Sequence, residues 1–339
     1  MPLPLIVTAN AAVGKSWASL ATGILIGLTS GITFLFGALV FAGVLGPPVT
    51  GASATPIGLG IMITGGTAAV LGSNPMRARI ARILPIDPDD PVHALALVLA
   101  VIWFGSNVTL VWFVDVFAAD RQQPPLTVLD LAGQELPFLI VAAAGVGLYM
   151  RRNATGAADR LGVVRPAWWQ ITLALAAAGV FSAFAVAAVL LSQTWTPSIA
   201  HNIDVTTQHN FGGLLAGPVG IAALALLPAI CEETLFRGAL QPRLGLVVTA
   251  LLFTSIHTQY SVSFDTLAVF VLALGLGIIR KYTNTTTSAI CHATFNLVAS
   301  VNLGGDLLGL AVGAEVVLIA LTSLALWSHR RRDAPVTNL

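Results

Sequence analysis

Between residues 231 and 296 the sequence sets carboxylates, histidines and an amide at helical spacings inside apolar runs. The first group is Cys231-Glu232-Glu233-Thr234-Leu235-Phe236-Arg237. On a helix Glu233 and Arg237 are four apart and share a face, which suits an ion pair. Glu232 then points about 100° away and lacks that partner. A carboxylate held without a cation in an apolar cavity is the kind of group that serves as general base toward water. The plainer alternative is that both glutamates meet water at a membrane interface.

The second group is Phe253-Thr254-Ser255-Ile256-His257, and the third is His292-Ala293-Thr294-Phe295-Asn296. His257 reads either as a satisfied structural histidine or as a proton-transfer group. His292 and Asn296 are four apart, so two hydrogen-bonding side chains point into one space. As donors they could stabilise an oxyanion. His292 could instead ligate a metal, or the pair could be a polar clamp between helices.

The elements that must position these groups follow from composition. Of 339 residues, 56% are hydrophobic and 9% charged, with a mean hydropathy of +0.87. Soluble domains carry about 25% charge, so a soluble enzyme, a nucleic-acid binder and a disordered chain are all excluded. The expected fold is an all-α, polytopic transmembrane helix bundle, because lipid leaves open sheet edges unsatisfied. Ten apolar runs are long enough to be considered as spans: 17–43, 51–72, 92–118, 136–150, 168–193, 213–240, 244–258, 266–280, 284–302 and 308–327. The reading is about ten spans (eight to ten), since the second, fourth, seventh and eighth could be half-spans. With both termini cytoplasmic, 15 of the 16 Lys and Arg residues fall on one side and only Arg121 on the other. Trp168, Trp169 and Trp327 sit where interfacial aromatics belong. The stretches 119–135 and 194–212 read as outer loops.

Ionisable residues inside a bilayer are costly and mark function. Those read as lying inside are Asp115, Glu232, Glu233, His257, His292 and Glu315, and four of them cluster between 232 and 292. With a rise of about 1.5 Å per residue, Glu232 and His292 lie about 13 Å and His257 about 20 Å from the cytoplasmic ends. That spread permits one site. His93, His201, His209 and His329 read as solvated. Cys231 and Cys291 are too few for a disulfide framework and read as small buried hydrophobes, with a thiol–metal reading as the alternative.

Together, Glu232-Glu233-xxx-Arg237, Phe253-xxx-His257 and His292-xxx-Asn296, in this order on successive apolar segments, resemble the motifs of the CPBP family of intramembrane proteases. These are the CAAX and bacteriocin-processing (Abi) enzymes, similar to type II CAAX prenyl endopeptidases. The resemblance spans roughly 213–305. It implies an intramembrane endopeptidase in which Glu232, with His257, activates the attacking water. His292 and Asn296 would stabilise the oxyanion or help hold a metal, and Glu233 and Arg237 would keep the site in shape. If a metal is used, one divalent ion such as zinc on Glu232, His257 and His292 is the expectation. A metal-free, glutamate-dependent route is equally compatible with these residues.

The corresponding division is 1–205 as accessory spans, 206–305 as the protease-like core, and 306–339 as a last span with a basic tail. Asp115 and Glu315 match no family motif, and the Thr283–Thr287 run lies near the expected entrance without an assigned role. The expected partners are the lipid bilayer and a peptide or prenylated protein substrate, with no nucleic acid. Localisation is expected in a prokaryotic plasma membrane, the site facing the cytoplasmic half. A non-catalytic scaffold or bacteriocin-immunity protein and a transporter are the competing readings. The latter would be favoured by an inverted repeat, which the sequence does not display.

Overall fold

Capping chemistry sets where the helices start. Asp90 accepts hydrogen bonds from the backbone N–H groups of Val92 and His93 at 2.7 and 3.2 Å, and Pro91 occupies the first turn. Thr127 and Asp130 form a reciprocal capping box. Asn284 accepts from the Thr287 N–H at 2.8 Å. In the computed structural model, which describes residues 2–48, 52–301 and 306–332, these caps open three of a succession of helices.

The succession runs α1 (Leu3–Ala12), α2 (Ala18–Phe41), α3 (Ala54–Gly72), α4 (Asn74–Ile80), α5 (Pro91–Phe113), α6 (Val116–Arg121) and α7 (Val128–Gly145). It continues with α8 (Ala154–Leu161), α9 (Trp168–Trp195), α10 (Pro197–Leu215) and α11 (Pro218–Glu232). A π-helical stretch (Glu233–Leu240) leads into α12 (Gln241–Leu244) and α13 (Leu246–Ser255). A 3₁₀ turn (Thr258–Tyr260) then precedes α14 (Phe264–Tyr282), α15 (Thr285–Ser300) and α16 (Asp306–Arg332). No strand occurs among the described residues.

Among the described residues, seven helical stretches are long and apolar enough to cross a membrane: α2, α3, α5, α7, α9, the continuous Pro218–Leu244, and Gly309–Ser328 within α16. The three other runs read as spans are helices too, α13 of 10 residues, α14 of 19 and α15 of 16. α13 rises only about 15 Å before the chain turns, so it crosses half a bilayer. Half of the most apolar window of Pro218–Leu244 is buried in the protein, against 11% for α16. The glutamate-bearing helix is therefore central, and α16 is peripheral. The outer faces of α2, α9 and α16 expose Leu20, Ile24, Val186, Leu190, Val316 and Leu324, as lipid-facing surfaces do.

Four readings change. The fourth span is displaced: α7 starts at Val128, not 136, and ends at Gly145, so Glu135 lies inside a helix and not in a loop. The stretch 194–212 is mostly the 19-residue helix α10, opened by Pro197 in the N-terminal turn that tolerates it. Asp115 is exposed and caps α6, accepting from the Ala118 N–H at 3.0 Å. His93 is half-buried, its Nδ1 accepting from the Asp87 N–H at 2.9 Å. The side chain of His329 and the tail 333–339 lie outside the described residues.

The basic loops meet at one end of the bundle. Arg243 donates to the Ala239 and Gly145 carbonyls, Arg160 to Gly238, and Arg151 to Asn10. Burial and the neighbouring Arg152, Arg280 and Arg151 hold the Arg160 guanidinium below its usual range. The Thr283–Thr287 run belongs to this end: Thr285 donates to the Leu161 carbonyl at 2.5 Å, and Thr286 accepts from the Val164 N–H. These bonds fix the start of α15 to the segment before α9. Arg121 sits at the opposite end, within 3.4 Å of Asn202 and Thr206 on α10.

α2 and α3 pack closely because Gly37, Gly58 and Gly65 line their contact. A Cβ on Gly58 would come within 2.7 Å of the Gly37 carbonyl oxygen and also collide with the Phe41 backbone. Membrane helices use such small residues to approach. Gly58→Leu is expected to destabilise the protein by about 1–3 kcal/mol, seen as a lower unfolding temperature in detergent. Gly66→Leu on the same helix, where a Cβ meets nothing within 4 Å, is expected to leave it unchanged.

Candidate active site

Pro228 interrupts α11 one turn before the glutamates. Having no N–H, it leaves the Leu224 carbonyl, four residues back, without its helical donor. Asn296 Nδ2 from α15 fills that place at 3.3 Å. Past Glu232 the helix widens into the π-helical stretch, a rare geometry found mostly at functional sites. Its side chains from Glu233 to Ala239 are all buried.

Glu233 is fully buried and its two oxygens are spoken for. Oε1 lies 3.2 Å from Arg237 Nη1 and accepts from His292 Nδ1 at 3.1 Å, while Oε2 accepts from the Ser288 hydroxyl at 2.5 Å. Arg237 in turn stacks over the Phe253 ring at 4.2 Å and donates to the Ala273 carbonyl at 3.3 Å. The same Phe253 ring packs on Phe236, His257 and His292, with centroids 5.2, 4.7 and 6.0 Å apart. Phe253 is thus the wall against which the guanidinium and both imidazoles are set.

Each histidine is oriented through one nitrogen. His257 follows the end of α13, and its Nδ1 donates to the Phe253 carbonyl at 2.8 Å. In the neutral ring Nε2 is then a free acceptor. Tyr260 stacks parallel to the same ring at 6.3 Å. His292 uses Nδ1 on Glu233, which aims Nε2 at Glu232 Oε2, 4.0 Å away. That Glu232 oxygen is buried and has no hydrogen-bond partner. Among the described residues no three His, Cys, Asp or Glu side chains are gathered closely enough to hold one metal ion. As placed, Glu232, His257 and His292 are not drawn together as a ligand set. Cys231 and Cys291 are free, buried thiols.

A cavity of about 710 Å³ brings Glu232, His257, His292 and Asn296 together. It extends past Tyr260 to Asp120 and Gln123, the end opposite the basic loops. A second cavity of about 440 Å³, between α9, α10 and α14, shares His257, His292 and Asn296 but not Glu232. α10 lies over the site between the two, with Thr207 lining both. It is held to the segment after α6 by a bond from the Leu126 N–H to the Asn210 carbonyl (3.0 Å) and one between His209 Nε2 and the Gln123 carbonyl (2.9 Å). At this mouth, burial pushes the Asp120 carboxyl above its usual range, opposed by a hydrogen bond from Asn210 and by His209.

Two site residues escaped the sequence reading. Ser288 stands four residues before His292, on the same face, and that spacing was its signal. Glu135 lies 7% exposed in α7 with Oε2 unpartnered, facing the larger cavity. Its signal was the Thr127-xx-Asp130 cap, which starts the helix two turns before it. Glu315 is set apart from this site, in α16 beside Gly179 of α9. Ser288→Ala is expected to leave Glu233 Oε2 buried and unsatisfied and to lower stability by about 1–3 kcal/mol, measured by thermal unfolding in detergent.

Residues 215–298 match the family model described as Type II CAAX prenyl endopeptidase Rce1-like. No curated protein and no solved structure matches the chain.

Proposed function

We propose, for a chain whose segment 215–298 belongs to the Rce1-like type II CAAX prenyl endopeptidase family, that this integral membrane protein hydrolyses a peptide bond of a membrane-associated or prenylated protein. The observation that carries the reading is the unpartnered Glu232 carboxylate in a cavity shared with His257, His292 and Asn296.

Water in that cavity meets Glu232 Oε2 and the free Nε2 of His257, two bases that can take its proton as it attacks the substrate carbonyl. His292 is the electrophilic partner. Its Nδ1–H is held by Glu233, so when the ring carries a second proton its Nε2–H is the donor toward the developing oxyanion. Asn296 has one amide hydrogen on the Leu224 carbonyl and a second left for the same oxyanion. The proton gained by Glu232 then passes to the leaving amine. Glu233, Arg237, Ser288 and Phe253 do not touch the reacting atoms; they hold His292 and His257 in place. Substrate would reach the site through the larger cavity, beneath α10, from the end opposite the basic loops and not from the cytoplasmic half that the sequence suggests. We assign the basic end of the bundle to the cytoplasm from the segregation of Lys and Arg, and the protein to a prokaryotic plasma membrane from its Ala- and Arg-rich, Lys-poor composition.

The test is cleavage of a farnesylated CAAX peptide and its unprenylated twin, together with membrane-anchored peptides, by the purified full-length protein in detergent, products being mapped by mass. Cleavage at one bond, with the prenylated peptide preferred, supports the prenyl substrate. Cleavage of anchored peptides alone redirects the substrate class. A chelator arm separates metal-dependent hydrolysis from the proton chemistry above.

A further inference from the structure

Glu135 has no role in the mechanism above, yet it is built into the same cavity. It is 7% exposed, and its Oε2 has no hydrogen-bond partner. Glu232 across the cavity is in the same condition, and the two carboxylates line the same cavity. Asp120 and Asp130 line the cavity toward its mouth. Among the described residues no lysine or arginine lines it; the other ionisable side chains there are His257, His292 and Tyr260. Glu233 is the contrast, with Arg237, Ser288 and His292 all turned to it.

Burying a carboxylate without a counter-charge is costly in any protein interior, and more so at membrane depth. Two such groups behind an acidic mouth make a cavity whose missing partner is a cation brought in by a ligand. A single metal ion does not suit the described side chains, which nowhere converge in threes. The cavity of about 710 Å³ is of a size for a length of peptide.

Resting on the peptidase reading, we propose that Glu135 is a specificity-determining residue that receives a lysine or arginine side chain of the substrate peptide near the scissile bond. Asp120 and Asp130 draw that cation to the mouth. A neutral side chain would leave Glu135 unpaired, and an acidic one would meet repulsion, so the site selects by penalty as well as by attraction.

The test uses the purified full-length protein in detergent and fluorescein-labelled membrane-anchored peptides. A single lysine is moved along each peptide and paired with a norleucine twin. Binding is read by anisotropy and cleavage by product mass. At one position or more, wild type is expected to bind the lysine peptide about tenfold or more tighter than its twin, the effect of pairing a buried charge. Glu135→Gln is expected to bring that ratio close to one while binding the norleucine twin at least as tightly as wild type does, since the penalty for an unpaired buried charge is gone; retained binding also shows that the variant is folded. Glu135→Lys is expected to favour a glutamate peptide instead. Absence of a lysine preference in wild type, or a preference that survives Glu135→Gln, overturns the proposal. Charge-selective binding without cleavage would leave this site standing and sink the peptidase reading. Cleavage without charge selection would do the reverse.

Discussion

Glu232→Gln is expected to lower kcat/KM on any cleaved peptide by about 10³-fold, within the range that a positioned general base supplies. The substitution keeps the volume and the hydrogen-bonding shape of the side chain but removes its basicity. Glu232 Oε2 has no hydrogen-bond partner in the protein, so little packing is lost and the unfolding temperature should hold. The fall should appear in kcat more than in KM, since the base acts on water and contributes little to peptide binding. His257→Ala removes the second acceptor in the same cavity and is expected to act in the same direction. An equal loss of kcat and of stability in Glu232→Gln would point to a structural glutamate. Initial rates beside thermal unfolding of the same samples separate the two.

Arg237→Met is expected to be the most destabilising substitution of the site, by about 3–5 kcal/mol, the cost of breaking a buried pair from one side. Arg237 is 1% exposed and Glu233 fully buried, so Glu233 would keep its charge with only Ser288 and His292 to offset it. Phe253 would also lose the guanidinium stacked on it. The double variant Glu233→Gln/Arg237→Met removes both charges together. It is expected to recover most of the stability, because a buried pair replaced as a unit is often close to neutral. Activity should not return with it, since His292 would lose the carboxylate that holds its Nδ1. Thermal unfolding of Glu233→Gln, Arg237→Met and the double variant in detergent checks this. A double variant no more stable than Arg237→Met would show that the pair contributes through something other than charge balance.

Spacing made part of this arrangement legible in the sequence. Residues four apart on a helix must share a face, and Glu233 does meet Arg237 while Phe253 does carry His257. The function of Pro228 was hidden because its effect lies in a carbonyl it leaves free, which a residue on another helix then satisfies. α7 was misplaced because its first two turns carry Asp130, Gln134 and Glu135, so the apolar run begins only at Leu136. The helix is fixed by its cap, and with it Glu135 enters the cavity. α10 went unread as a helix for a related reason. Its Asn, Asp, Gln and His residues resemble a loop in a window of average hydropathy, whereas its length and its place over the cavity follow from packing. The half-length α13 also depends on packing: nothing local in Thr254-Ser255-Ile256-His257 demands a stop, but the turn sets His257 beside the Phe253 carbonyl.

The central claim is that Glu232 and His257 activate water in one cavity. It is tested most directly by running wild type, Glu232→Gln and His257→Ala side by side on a cleaved anchored peptide in ¹⁸O-labelled water. The account predicts a wild-type product carrying one ¹⁸O at its new C-terminal carboxylate, and almost none of that product from either variant. Labelled product formed at the wild-type rate by Glu232→Gln would contradict it.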